Sequence, residues 1–310
     1  MSSCNREVRW GGASALVACV AMSSCSNVGM VTDGGSLSYG PSRAGRLLAP
    51  ARLPIRGDGY WTPPRWASRG LRYGTDELVG MVVFAGRDIA RQLPLATLSV
   101  GDLSLARGGR SKWHRSHQTG RDVDLLFLIR DSEGRSILSE RMWKFDSDGK
   151  VFRSLEAVVF DEAAEPDYVF DDLGNWLMVK SLLTNPIAEV QYIFISDALK
   201  QRLIDVAYEQ GEDEELIQKA GYLLHQPSDS LPHDDHMHVR VLCSRDDLAL
   251  GCRDQGVLRW VKKGYKYVRR FERDIRVPRV RQGIGAFAAS NLAFPGFFPI
   301  ARQNVVGLAF

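Results

Sequence analysis

The stretch SHQTGRDVD (116–124) and the later run HDDHMH (233–238) hold four of the chain's six histidines. Successive side chains of an extended strand alternate, so His236 and His238 share one face while Met237 and Val239 take the other. Two adjacent imidazoles are poor core filler: each has two ring nitrogens to satisfy, and the pair repels when charged. A divalent metal resolves both problems, because neutral imidazole is a preferred zinc ligand. The same alternation puts Asp122 and Asp124 on one face at the start of the apolar run VDLLFLI, where a carboxylate needs a partner. The Thr119-Gly120 turn lets the chain double back and brings His117 near Asp124. Two histidines and one carboxylate form a three-ligand set with a fourth position open to water, the arrangement of a catalytic zinc. No histidine here is followed by glutamate, so the helical HExxH arrangement of zinc proteases is excluded.

GGRSKWHRSHQTGRDVDLLF together with HDDHMHVRVLC resembles the penicillin-insensitive murein endopeptidases. These are zinc peptidases related to lysostaphin-type enzymes, D-Ala-D-Ala carboxypeptidases and the hedgehog fold. Their shared signature, His-x6-Asp followed later by His-x-His, reads here as His117–Asp124 and His236-Met237-His238. VGDLSLARGG before the first motif and the cysteine-bounded loop after the second extend the likeness over residues 56–260. The resemblance implies that His117, Asp124 and His238 bind Zn2+, with His114 as a further ligand. It implies His236 as the general base, and His233 as a second catalytic histidine that holds the developing oxyanion or shuttles the proton. The implied reaction is hydrolysis of D-alanyl–meso-diaminopimelyl cross-links of peptidoglycan through a metal-activated water, with no acyl-enzyme. Residues 130–170 look longer than the family pattern, so no further acidic ligand is placed there. Two other functions stay open: a zinc D,D-carboxypeptidase acting on stem peptides, and a non-catalytic, lipid-anchored wall-binding protein.

Positioning these groups requires a scaffold, and the chain has the material for one. With 45% apolar and 25% charged residues it falls in the globular class, and it contains no run of the roughly 20 apolar residues that a membrane-spanning helix needs. After Thr75, a helix cap, Leu78, Val82, Ala85 and Ile89 fall on one helical face until Pro94. LATLSV (95–100), VDLLFLI (123–129), VQYIFIS (190–196) and HMHVRVLC (236–243) read as strands, and DSEGRS and DSDGK as hairpin turns. Helices are expected over 172–183, ending before Asn185-Pro186, over 198–210 with Asp197 as cap, and over 212–224. His225, at the end of that helix, caps carbonyls or is solvated and takes no role. Trp113 is either groove wall or packing aromatic, Asp122 is an acceptor for a metal-binding histidine, and GEDEE (211–215) is a solvated helix start. Strands and helices mix without a strict βαβ rhythm, which predicts an α+β fold: a small antiparallel sheet carrying the zinc site, flanked by helices.

The ends read differently. Residues 1–25 combine Arg6 and Arg9, a short apolar run and small residues, the parts of an export signal to the periplasm, with Cys25 or Cys19 as a lipoprotein cysteine. Residues 26–55 are Gly/Ser/Pro-rich and read as a flexible tether, 56–262 as the peptidase domain and 263–310 as a basic, then apolar extension. Lys and Arg crowd 259–281, which reads either as a contact for an anionic surface or as an ordinary packed extension. Three of the five cysteines lie in the leader, so Cys243 and Cys252 are expected to pair, as suits an exported protein. Oligomeric state is not readable.

Overall fold

The computed structural model describes residues 34–152 and 167–256. The chain divides into two units, 1–266 and 267–310, and all described residues belong to the first. The leader (1–25) and the extension from 263 lie outside the described residues.

The strands used below are β1 (Leu37–Pro41), β2 (Arg46–Leu48), β3 (Asp122–Leu126), β4 (Val190–Phe194), β5 (Leu224–His225), β6 (His236–Val241) and β7 (Cys252–Arg253). The helices are α1 (Pro64–Ala67), α2 (Asp76–Gln92), α3 (Asp172–Thr184), α4 (Asp197–Glu209), α5 (Glu214–Leu223) and α6 (Arg245–Ala249). The fold is α+β. Its four-stranded sheet runs β5-β4-β6-β3, antiparallel except for the parallel pair β4–β5 at one edge. This is the expected α+β class with a small, mainly antiparallel sheet, and the one parallel edge pair arises because α5 returns the chain alongside β4 in the same sense.

The apolar side of this sheet meets the helices. Val123 and Leu125 of β3, and Met237, Val239 and Val241 of β6, are buried in one core with Leu78, Val82, Ala85 and Ile89 of α2. Thr75 caps α2, its hydroxyl accepting from the Leu78 N–H. Helix α3 buries Trp176, Met178, Val179, Leu182 and Leu183 and packs against both α2 and α4. Being covered on several sides, it carries apolar residues around much of its circumference. At α4 the cap position belongs to Ser196 and Asp197 enters the first turn, which corrects the expected assignment by one residue. An acid there still faces the positive end of the helix dipole. The strand expected over 95–100 shrinks to Leu98–Ser99, with Val100 bridging to Leu125. Both expected hairpin turns form, with Gly134 and Gly149 in the left-handed region.

The tether expectation needs correction at its C-terminal end. Residues 37–41 and 46–48 pair as a hairpin, Leu47 and Leu53 are fully buried, and β1 also pairs in parallel with β7. Arg121 explains the closure. Its guanidinium donates to Ser38 Oγ, to the carbonyls of Val241 and Arg253, and to Asp254 Oδ1 at 2.8 Å. One buried cation thus ties β1, the end of β6 and β7 together. The Cys243–Cys252 disulfide closes the same corner, as expected. A loop so short stabilises by roughly 2–3 kcal/mol, chiefly by local stiffening.

Candidate metal centre

The polar side of the β3–β6 ladder carries the chemistry. Asp124 stands opposite His238, and Asp122 opposite Arg240. Arg240 donates to Asp122 Oδ1 at 2.5 Å and lies over the Tyr192 ring. His117 arrives from the preceding loop with φ 61°, a left-handed conformation rare for a residue with a side chain. Such strain costs of order 1–3 kcal/mol and persists only where surrounding bonds over-determine it. Here they do: the His117 N–H donates to Asp122 Oδ2, and its carbonyl accepts from Ser104 Oγ. Gly120 makes the turn that returns the chain to β3. It too has positive φ, and a Cβ there would lie 2.7 Å from the Leu47 methyls.

The ring nitrogens are oriented by partners that only accept. His117 Nδ1 is 2.9 Å from the Leu103 carbonyl, so it carries the proton and Nε2 presents a lone pair. His238 Nε2 is 3.1 Å from Asp122 Oδ1, so Nδ1 presents the lone pair. Those two lone pairs and Asp124 Oδ1 face one another: His117 Nε2 to Asp124 Oδ1 3.3 Å, His238 Nδ1 to Asp124 Oδ1 3.0 Å, His117 Nε2 to His238 Nδ1 3.2 Å. Three acceptors at such distances repel unless a cation sits among them. Ligand atoms about 2.0–2.1 Å from a tetrahedral zinc lie about 3.3 Å apart, so the triangle has the required size. These residues fit a divalent metal.

His114 stacks on His117, ring centroids 4.1 Å apart, and His114, His117 and Asp124 form a group able to hold an ion. Its Nε2 lies 2.8 Å from Asp102 Oδ2 and 3.7 Å from Asp124 Oδ2. As placed, His114 donates to Asp102, and it sits beside the triangle of lone pairs rather than in it. His236 brings Nε2 to 3.6 Å from Asp124 Oδ1, while its Nδ1 contacts Asp235 Oδ1 at 2.5 Å. His233 lies next to it, ring centroids 5.4 Å apart, and its Nδ1 has no hydrogen-bond partner among the described residues. All six sequence-predicted side chains therefore gather in one place.

Electrostatics follow from burial and pairing. Burial opposes ionisation of Asp124, but His117 and His236 outweigh it and hold the carboxyl well below its usual range. Asp122 is depressed against the same burial by Arg240 and His238. Burial disfavours charge on His236 and His238 too, yet their carboxylate neighbours prevail and raise both above the ordinary imidazole value. His233 goes the other way: burial, then the positive His236 and His238, push it down to about 4.

A groove of about 1520 Å³ runs past these residues, its lining extending from Trp66 and Trp113 to the 226–232 loop and including His114, Asp124, His236 and His238. Trp113 is 46% exposed and forms groove wall, which decides its role against core packing.

A model of the penicillin-insensitive murein endopeptidase family matches residues 38–260. The chain belongs to that family. Penicillin-insensitive murein endopeptidases of Salmonella paratyphi B, Salmonella newport and Salmonella schwarzengrund are each 27% identical to it over 226 residues, 72% of this chain and 71% of theirs.

For a member of the murein endopeptidase family, three neighbours of the centre escaped the sequence reading. Asp102 is fully buried and accepts from both His114 and Arg69. It sits in VGDLSLARGG, a stretch singled out for its likeness but not residue by residue. Asp235 orients His236, and the acids between the histidines of HDDHMH were its only trace. His225 directly follows α5, as expected, with its Nδ1 3.4 Å from the Leu223 carbonyl, but it also lies in β5 and packs its ring edge-on to Phe194 at the groove. The expected solvation of GEDEE is partial, since Glu212 accepts from Trp176 and Lys180.

Proposed function

We propose that the protein is a zinc-dependent murein endopeptidase that hydrolyses D-alanyl–meso-diaminopimelyl cross-links of peptidoglycan. The observation that carries the reading is the convergence of the His117 Nε2 and His238 Nδ1 lone pairs on Asp124 Oδ1. Zinc held by those three residues supplies a Lewis acid for the peptide carbonyl and for water.

The remaining steps belong to the chain's own groups. With its Nδ1–H directed at Asp235, His236 presents Nε2 toward the centre and accepts the proton of the attacking water. Asp235 steadies the imidazolium that forms, and His236 then delivers the proton to the leaving amine. The pull of Asp124 is the largest influence raising the His236 pKa, and a cation on that carboxylate weakens it, returning His236 toward the range useful for a base near neutrality. His233 is neutral near pH 7 and lines the groove beside His236, suited to hydrogen-bond the developing oxyanion.

A groove lined on both sides of the centre favours cleavage within a cross-linked peptide over trimming of a free end. The leader-like residues 1–25 support export to the periplasm, with Cys25 or Cys19 as lipid attachment point. The basic run 259–281 is suited to an anionic surface. Digestion of purified muropeptide dimers by the full chain, read by mass spectrometry with and without chelator, tests the proposal. Monomers that vanish with chelator are the expected result. Dimers shortened only by a terminal D-alanine would transfer the assignment to a carboxypeptidase, and untouched dimers in zinc-replete buffer would refute catalysis.

A further inference from the structure

Of the other cations lining the groove, Arg65 and Arg141 lie over the Trp66 and Trp143 rings, and Arg69, Lys144 and Arg240 have close carboxylate partners in Asp102 at 2.6 Å, Asp234 at 2.9 Å and Asp122 at 2.5 Å. A second group of cations does not. Beside the groove lies a recess of about 410 Å³ lined by Arg43, Arg110, Ser111, His114, Arg115 and Gln118. Its lining holds three guanidinium groups and no carboxylate. Among the described residues Arg110 and Arg115 form no ion pair, and Arg43 reaches only Asp229 at 3.8 Å, with the two side chains 66% and 71% exposed. An ion pair so exposed and so long contributes little.

The loop that presents Arg110 and Arg115 is held in shape, and Arg43 reaches the recess from the β1–β2 turn. Ser111 Oγ accepts from the N–H groups of Trp113 and His114, Gln118 Nε2 donates to the Arg115 carbonyl, and the Gly109 N–H donates to the Gln118 carbonyl. Like charges gathered around one hollow repel, and an anion entering it relieves that repulsion while accepting several charge-assisted hydrogen bonds. The recess also has a fixed relation to the centre. Arg43, His114 and Arg115 line both the recess and the groove, so whatever occupies the recess adjoins a peptide lying in the groove past Asp124, His236 and His238.

We propose that Arg43, Arg110 and Arg115 form a carboxylate-binding subsite that selects the residue on the leaving-amine side of the scissile bond. The inference rests on the proposed cross-link substrate, whose diaminopimelyl residue keeps a carboxylate on the carbon bearing the scissile nitrogen. Guanidinium is the matched partner for that group, since its planar fork binds both oxygens at once. Arg110 and Arg115 are specificity-determining residues here, acting on substrate and not on the metal.

The test compares two synthetic cross-linked peptides that differ only at that position, one with a free carboxylate and one with a carboxamide. With the zinc-loaded full chain, the carboxylate peptide should be favoured about tenfold or more in kcat/KM, mainly through KM. In an Arg110→Gln/Arg115→Gln double variant the ratio should fall toward one, and the corresponding Lys variant should retain part of it. A merely structural role would change both peptides together and leave the ratio intact, which would overturn the proposal, as would a wild-type ratio near one. If neither peptide is cut, the proposed activity fails, and calorimetric binding of the same two peptides still decides the subsite. Preferential binding of the carboxylate, lost in the Gln variant, sustains it; equal or undetectable binding of both removes it.

Discussion

The candidate metal centre is assembled from two halves by different physical means. On the sheet half, Asp122, Asp124, His236, His238 and Arg240 occupy one face of two paired strands, while Val123, Leu125, Met237, Val239 and Val241 fill the core behind them. A one-residue slip would bury the acids and expose the apolar set, so core packing and site geometry are specified together. On the loop half, His114 and His117 depend on individual bonds: the Leu103 carbonyl, Ser104 Oγ, Asp102 and Asp122, with left-handed backbone at Gly108, Gly109, His117 and Gly120. Periodicity positions the first half, and hydrogen-bonding of single groups positions the second.

The largest effect expected is loss of metal from either half. Asp124→Ala on the sheet and His117→Ala on the loop should each abolish stoichiometric zinc, measured by elemental analysis, and take hydrolysis to background. If one of them kept its zinc and its activity, that half would not belong to the centre. The next effect separates base from ligand. His236→Ala should retain zinc and lower kcat by about 10²–10⁴-fold. Loss of the metal in that variant would make His236 a ligand and His238 the candidate base.

Asp122 joins the halves, accepting from His238 Nε2 on the sheet and from the His117 N–H on the loop. Replacing such a partner of a ligating histidine weakens metal binding by about 10–100-fold. Asp122→Asn should therefore lower zinc affinity by that order in a competition titration with a chromophoric chelator. An unchanged affinity would mean the two halves are held independently.

The contrast also explains what could be read in advance. Alternation along HMHVRV and DVDLL revealed which residues share a face, and the α2 stripe with its Thr75 cap was equally plain, because both are repeated signals. Asp102, Asp235 and the Leu103 carbonyl act as single groups at irregular positions, and no pattern in composition announces them. Residues 37–57 hold strands of two to five residues among glycines and prolines, too short for alternation to register. Their order comes from distant partners such as Arg121 and Cys252, which lie far along the chain. His225 follows an amphipathic helix directly, so the two-residue strand that captures it was invisible.

The smallest effect concerns acid. His233 is pushed down to about 4 in the folded chain, chiefly by burial and then by its charged neighbours, against an ordinary 6.5. An unfolded chain takes up this proton as the pH falls below about 6.5, and the folded chain resists until about 4, so His233 withdraws stability across that window. His236 and His238 act in the opposite sense when the metal is stripped. Their raised values add stability that is fully present below the ordinary pKa and lost as the pH rises through the folded one. The net slope of the wild type therefore mixes both signs, and the difference from His233→Gln isolates the first. Urea unfolding of chelator-treated wild type and variant at pH 7.5 and 4.5 should show the wild type losing more stability on acidification. Equal losses would place His233 in a solvated setting, where the imidazole would hold no advantage as a neutral donor to the substrate.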